Sequence, residues 1–228
     1  MKENKLYVLE SMPVPRAIMN LAIPSVLSML VNILYNLTDT FFIGKLNDPY
    51  QVAAVSISMP LFMLQMAMAG VFGIGGGSYL SRLLGKKDYD SAKNTLSTSV
   101  FTAAALSVVL GVLGIIFIPI FTALVGASGE TLVHANNYML YILIGSPVVL
   151  LKFTLVQLLR AEGAAKEAMI GLFIGTGMNI LLDPIFIFVF GMGVTGAAVA
   201  TVLGNGCGML YYLWFYISKK SLVPLSLK

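Results

Sequence analysis

Six stretches of this chain, each long enough to cross a lipid bilayer as a helix, carry almost no charge, and that leaves little choice of fold. A spanning helix needs roughly 20 consecutive, mostly apolar residues, because a backbone in hydrocarbon has to satisfy its own hydrogen bonds. The spans fall at about 16–44, 50–81, 93–118, 134–159, 166–190 and 194–218. Composition points the same way: 11% of the residues are charged and 58% apolar, where a soluble domain of this size carries about 25% charge. The expectation is an all-α integral membrane protein, a single bundle of six transmembrane helices over residues 1–228. No Ser/Gly-rich linker or internal repeat divides it. One cysteine excludes an intrachain disulfide and one histidine leaves too few soft ligands for zinc. A net charge of +4 in such a chain is no nucleic-acid signal; its placement among the loops is what carries meaning.

That placement alternates. One side of the membrane receives Lys2, Lys5 and Arg16, then Arg82, Lys86, Lys87 and Lys93, then Arg160 and Lys166, and finally Lys219, Lys220 and Lys228. The other side receives Lys45. Because basic loops stay in the cytoplasm, both termini are expected there, in a bacterial-type inner (plasma) membrane, and an even number of spans follows. Glu10, Pro13 and Pro15 interrupt the apolar run that a cleavable signal would need, so the first span is expected to be its own insertion signal.

Two acids lie inside expected helices, where a charge costs several kcal/mol or more unless it faces a cavity or a partner. Asp183 sits in Asn179-Ile180-Leu181-Leu182-Asp183-Pro184 with no basic neighbour. Asn179 is one turn before it on the same face, and Gly171 and Gly175 thin that face for close packing. Pro184 has no N–H to offer the Ile180 carbonyl, so a carboxylate, an amide and a bare carbonyl converge, an oxygen-rich setting suited to a proton or Na⁺. Asp39 belongs to a second stripe, with Ser28, Asn32, Tyr35 and Asn36 at helical spacing, expected to point into the bundle. With the N-terminus inside, both acids fall in the outer half of the membrane and are expected to line one outward-facing cavity. Thr201 and Asn205 of the sixth span reach toward the same interior.

Other polar or unusual residues read more plainly. Lys152 lies near the expected cytoplasmic end of its helix and is expected to snorkel to the headgroups. Gly73-Ile74-Gly75-Gly76-Gly77 lacks the lysine and hydroxyl of a phosphate loop, so Gly73, Gly77 and Ser81 are assigned to helix packing, as are Gly196, Ala200, Gly204 and Gly208. Ser128 and Glu130 read as helix-capping residues and His134 as solvated. The methionines and aromatic rings are expected mostly to face lipid or fill the core, none singly assigned to a substrate, and collectively they offer a surface that accepts many shapes and organic cations.

These residues together resemble the multidrug and toxic compound extrusion (MATE) transporters. The match is carried by Ile23-Pro24, Asp39-Thr40 and Gly44; by Tyr138, Gly145 and Pro147; by Arg160, Gly163 and Met169; and above all by Asn179-Ile180, Asp183-Pro184-Ile185-Phe186-Ile187, Gly191, Gly193-Val194, Gly196-Ala197-Ala198 and Ala200-Thr201. The resemblance implies a secondary active exporter of organic cations or amphiphilic drugs, driven by inward H⁺ or Na⁺ through alternating access and needing no cofactor. It implies that Tyr35, Asp39, Asn179, Asp183 and Thr201 form the proton and cation pocket, with Na⁺ bound at Asp39, Asp183, Asn179 and Thr201 where that ion is used. Asn32, Asn36, Gln157 and Asn205 are further candidates for the cavity lining, Gln157 standing with Thr154 where the family places a polar residue on the fourth helix. Family members have twelve helices in two lobes, so the chain resembles the N-terminal lobe, and a second six-helix lobe, either the missing C-terminal half or a second copy of this chain, is the expected partner besides the lipid and the substrate.

Three other readings are weaker. A flippase for lipid-linked oligosaccharides would place more Arg and Lys in the membrane to hold a pyrophosphate, and only Lys152 is there. An enzyme would need a nucleophile and base, yet His134 and Cys207 stand isolated. A non-transporting structural subunit leaves the acids inside the helices without a purpose. The orientation is tested by a reporter fused after Lys228: activity confined to the cytoplasm is expected, and activity confined to the outside overturns it.

Overall fold

Connections of only a few residues between long apolar segments force successive helices to run back on one another. The computed structural model describes residues 12–218 and 221–225. Of the charges used for orientation, Lys2, Lys5, Lys219, Lys220 and Lys228 lie outside the described residues, as does Glu10. Helix α1 spans Val14–Gly44. Helix α2, Pro49–Gly70, passes through a five-residue π-helical stretch, Val71–Gly75, into α3, Gly76–Gly85. Then come α4, Tyr89–Leu124, α5, Gly129–Ile144, and α6, Ser146–Ala161. Helix α7, Ala165–Pro184, ends in a second π stretch, Ile185–Val189, and α8 spans Val194–Ile217. Five of these runs are long and apolar enough to cross a membrane, and α5 with α6 makes a sixth when the bent pair is taken as one span.

The breaks have local causes. Pro147 has no N–H and its ring would collide with the Leu143 carbonyl, so the helix stops at Gly145 and restarts with a bend of 56° between α5 and α6. Hydropathy could not mark this bend, because a one-residue interruption leaves the apolar run over 134–159 intact. Pro184 likewise removes a donor, and the chain beyond it widens until Phe190 N donates to Ile185 O at 2.9 Å.

Helix α7 packs most closely on α8, α1 rests mainly on α7, and α4 lies against α5 and α6. The α7–α8 contact is backbone on backbone. A methyl added at Gly175 would stand 2.9 Å from the Gly204 carbonyl oxygen, and one at Gly204 would stand 2.7 Å from the Gly175 oxygen and 2.8 Å from Asn179 Cβ. The small face on α3 works the same way against α6: a methyl at Gly77 would lie 3.2 Å from Ala161 Cβ, and Ser81 Oγ donates to Ala161 O at 3.1 Å.

Both ends of the bundle are pinned. At one end Asp48 caps α2, accepting from Tyr50 N at 2.9 Å and from Gln51 Nε2 at 2.9 Å, while Gln51 Oε1 accepts from Val194 N at 2.8 Å where α8 begins. The Gln51 amide, ahead of the Tyr50 and Gln51 backbone N–H groups, holds the Asp48 carboxyl below the usual carboxylate range. Gly193, with φ of 56°, is required twice over, since a side chain there would also strike Gln51 Oε1. His134, expected to be solvated, faces Asp48 with Nε2 and Oδ2 4.0 Å apart, and Ser128 occupies the N-cap position of α5 without a side-chain cap bond. At the opposite end a core of Leu80, Leu96, Leu158, Tyr212 and Phe215 is fully enclosed. There the buried Glu162 accepts from Ser221 Oγ at 2.6 Å and from Leu222 N at 3.3 Å, fastening residues 221–225 beneath the bundle.

Replacing Gly204 by Ala is expected to destabilise the chain by about 1–3 kcal/mol, because backbone on both sides blocks the methyl. Gly177→Ala, which meets nothing within 4 Å, serves as the control and is expected to leave the thermal midpoint of the detergent-solubilised protein unchanged or slightly raised.

Candidate functional site

Because Gly175 and Gly204 let α7 and α8 touch, the side chains one turn further along are forced together. Asp183 is fully buried and Asn179 is 3% exposed. Asn179 Nδ2 donates to Asp183 Oδ1 at 3.3 Å and to Thr201 Oγ1 at 3.4 Å. From α1, Tyr35 Oη reaches the same Thr201 hydroxyl at 3.3 Å, either oxygen donating. Asp39, one turn beyond Tyr35, is half-buried and within electrostatic reach of Asp183. Tyr138 of α5 is half-buried within reach of Asp39, Tyr35 and Asp183. Two consecutive helices, α7 and α8, and the sequence-distant α1 thus close around two acids, and a fourth helix supplies a further phenol.

Acceptors outnumber donors in this cluster. Asp39 Oδ1, Asp183 Oδ2 and Asn179 Oδ1 are all buried and have no hydrogen-bond partner among the described residues. Buried acceptors are ordinarily paired, so three orphans in one cluster leave it short of donors. Among the described residues no three His, Cys, Asp or Glu side chains gather as a transition-metal site would require.

A family model described as MatE matches residues 24–185. The chain belongs to the MatE family. Over all 228 residues it is 36% identical to the multidrug export protein MepA of Staphylococcus aureus strain MRSA252, spanning 51% of that protein. Over 227 residues it is 35% identical to MepA of Staphylococcus saprophyticus, spanning 50% of it. Its fold superposes with a TM-score of 0.92 and 32% identity on a multidrug resistance MATE family transporter of the MOP superfamily solved in an outward-facing conformation, covering 98% of this chain and 49% of that one. A MOP superfamily transporter from Pyrococcus furiosus, whose structure is described as having a binding pocket of reverse polarity, matches with the same figures. The chain spans about half the length of the curated relatives it matches.

Within this MatE family chain the remaining candidates are distributed unevenly. The α1 stripe does not point into the bundle as a whole: Ser28 is buried and Tyr35 and Asp39 half-buried, but Asn32 and Asn36 are exposed. The reason is geometric. At 3.6 residues per turn Asn32 and Asn36 lie about 40° and 80° round from Ser28, and α1 leans chiefly on the single helix α7, whose contact is narrower than the stripe. Gln157 is placed against α2 and α3, where a methyl on Gly73 would come within 3.2 Å of its Cβ, and Thr154 Oγ1 donates to Ala69 O at 3.4 Å. Neither makes a hydrogen bond with the acid cluster.

Lys152 is the residue the sequence reading misplaced. Its ammonium donates to Asn205 Oδ1 at 2.8 Å instead of turning to the headgroups, and Asn205 Nδ2 donates to Thr201 O at 2.7 Å. A polar path therefore runs from Lys152 through Asn205 and Thr201 to Asn179 and Asp183. The signal was the same one that marked the acids, a charge inside an apolar run; the bend at Gly145, invisible in hydropathy, turns α6 so that this lysine meets α8. Combining Lys152→Met with Asn205→Leu is expected to reveal a coupling of about 1–3 kcal/mol in a double-mutant cycle of thermal stability, whereas a lysine resting in the headgroups would show none.

Proposed function

We propose that this chain is the N-terminal lobe of a multidrug exporter that expels organic cations or amphiphiles in exchange for H⁺ or Na⁺, with Asp39 and Asp183 as the coupling acids. The observation that supports the reading is the set of unpaired acceptors at Asp39 Oδ1, Asp183 Oδ2 and Asn179 Oδ1. A proton satisfies one carboxylate oxygen and cancels its charge. Na⁺ satisfies several oxygens at once, with Asp39, Asp183, Asn179 and Thr201 as its donors. Either event removes the negative charge that holds a cationic substrate, so ion entry and substrate release exclude each other, and that exclusion is the coupling.

The lobe is oriented with both termini in the cytoplasm of a bacterial-type plasma membrane, following the basic loops. A second six-helix lobe is its partner, because alternating access needs two bodies that rock about a shared site. Asn32 and Asn36 support this arrangement: two amides exposed on α1 suit a polar cavity between lobes better than acyl chains. Asn205, tied to Thr201, belongs to the cavity's inner wall, and Gln157 to its far margin.

Substrate efflux from proteoliposomes under imposed pH and Na⁺ gradients tests the proposal. The chain as an isolated monomer is expected to be silent and the chain with a second lobe, a C-terminal half or a second copy, active. Asp39→Asn and Asp183→Asn should each lower gradient-driven efflux by about tenfold or more, a coupling above ~1.4 kcal/mol. Undiminished coupled efflux in both variants, or efflux by a demonstrated monomer, overturns the reading.

A further inference from the structure

Lys152 is a charge inside the membrane that ion coupling by the two acids leaves without a task. It sits on α6 roughly two turns, about 12 Å, before Arg160 in the last turn of that helix. Its stem lies across α8, where a methyl at Gly208 would stand 3.5 Å from Lys152 Cε. The ammonium is therefore directed into the bundle at depth, not toward the headgroups, and the side chain stays half-buried, with part of its surface open.

An ammonium at this depth is costly unless it is paired. Its three protons find one acceptor among the described residues, Asn205 Oδ1 at 2.8 Å. That acceptor is neutral, and it is fixed in place because Asn205 Nδ2 donates to Thr201 O. No carboxylate among the described residues stands within electrostatic reach of Lys152, whereas Asp183 does feel Asp39. One bond to an amide recovers only part of the cost of burying a full charge, and two N–H groups are left without a protein acceptor. A side chain whose whole task was to tie α6 to α8 would need no charge, since a glutamine could offer Asn205 the same kind of bond. What an ammonium adds is attraction for an anion.

The lysine and the acids belong to one polar path. Asn205 follows Thr201 by one 5.4 Å turn of α8, and Thr201 is linked through Asn179 to Asp183. The interior is thus dipolar, with acceptors short of donors at one end and donors short of acceptors at the other, roughly 10 Å apart by the helical pitch and the intervening hydrogen bonds. We propose that Lys152 is an anion subsite, taking the carboxylate of a zwitterionic amphiphile whose ammonium is held by Asp39 and Asp183. This rests on the proposed role of the acids as the cation site, and it adds zwitterions to the organic cations as a substrate class.

The test uses 4′-(aminomethyl)biphenyl-4-carboxylic acid, a rigid zwitterion of about that span, and its methyl ester, the matched monocation. Both are titrated calorimetrically into the chain in phosphatidylcholine nanodiscs, whose surface has no net charge to concentrate either probe. The zwitterion is expected to bind about tenfold more tightly than the ester, the worth of one charge-assisted hydrogen bond. Lys152→Met and Lys152→Gln should each bring the zwitterion down to the ester or below it, with binding of the ester reporting that the variant is folded. Lys152→Arg should keep the preference, because the guanidinium retains both charge and donors. Asp183→Asn should weaken zwitterion and ester alike and leave their ratio in place, so a failure of the acids to hold the ammonium is told apart from a failure of Lys152 to hold the carboxylate. No binding of the zwitterion, an affinity no greater than that of the ester, or a preference that survives both Lys152→Met and Lys152→Gln would each overturn the proposal.

Discussion

Inside a bilayer a polar side chain has no water to turn to, so it must meet another polar group across a helix contact, and the reach of a hydrogen bond sets how close the helices must come. In this protein that approach is made by the absence of side chains. Gly171 and Gly175 on α7 oppose Gly204 and Gly208 on α8, and at these positions even a methyl would press into the facing backbone or, at Gly171, the Tyr212 ring. The hydrogen bond from Asn179 to Thr201, already 3.4 Å long, exists because nothing thicker stands between the helices. The cross-helix part of the acid cluster rests on that contact, including the position at which α1 can bring Tyr35 to Thr201.

The cluster built on this contact is deliberately short of donors, and its surroundings are where the helices are least regular. Asp183 immediately precedes Pro184 and a π stretch, and the bend at Gly145 turns α6 so that Lys152 reaches Asn205. Irregular helix of this kind concentrates at functional sites because its backbone can change register without tearing a long ladder of bonds. The ends of the bundle are organised differently. Asp48, Gln51 and Val194 at one end, and Glu162 with Ser221 at the other, are paired polar groups that fasten loops. The bundle is thus fastened at both ends around a middle whose polar groups are under-satisfied.

Legibility from the sequence varied residue by residue, for reasons that can be named. Asn179 and Asp183 were readable because a single helix relates them, and helical spacing alone puts them on one face. Thr201 followed from the small-residue pattern of its own helix. Asn32 and Asn36 were harder, since periodicity tells which residues share a face but not how wide a neighbour covers it. Lys152 and Gln157 were read against an unbroken helix, and the bend at Gly145 redirects both. Gln65 carried no mark at all: one amide in an apolar run gives no sign that it will meet Ser146 Oγ, 2.7 Å away at the start of α6.

The sequence by itself determined that the chain lives in a membrane, that it is helical, and which acids are too expensive to be accidental, because those properties depend on local polarity and on a fixed helical period. Only the tertiary structure decided which polar atoms are satisfied, where the lone intramembrane lysine points and which faces remain open. Those outcomes depend on how closely two helices approach and at what angle, and such distances are set by pairs of segments far apart in the chain, not by either segment alone.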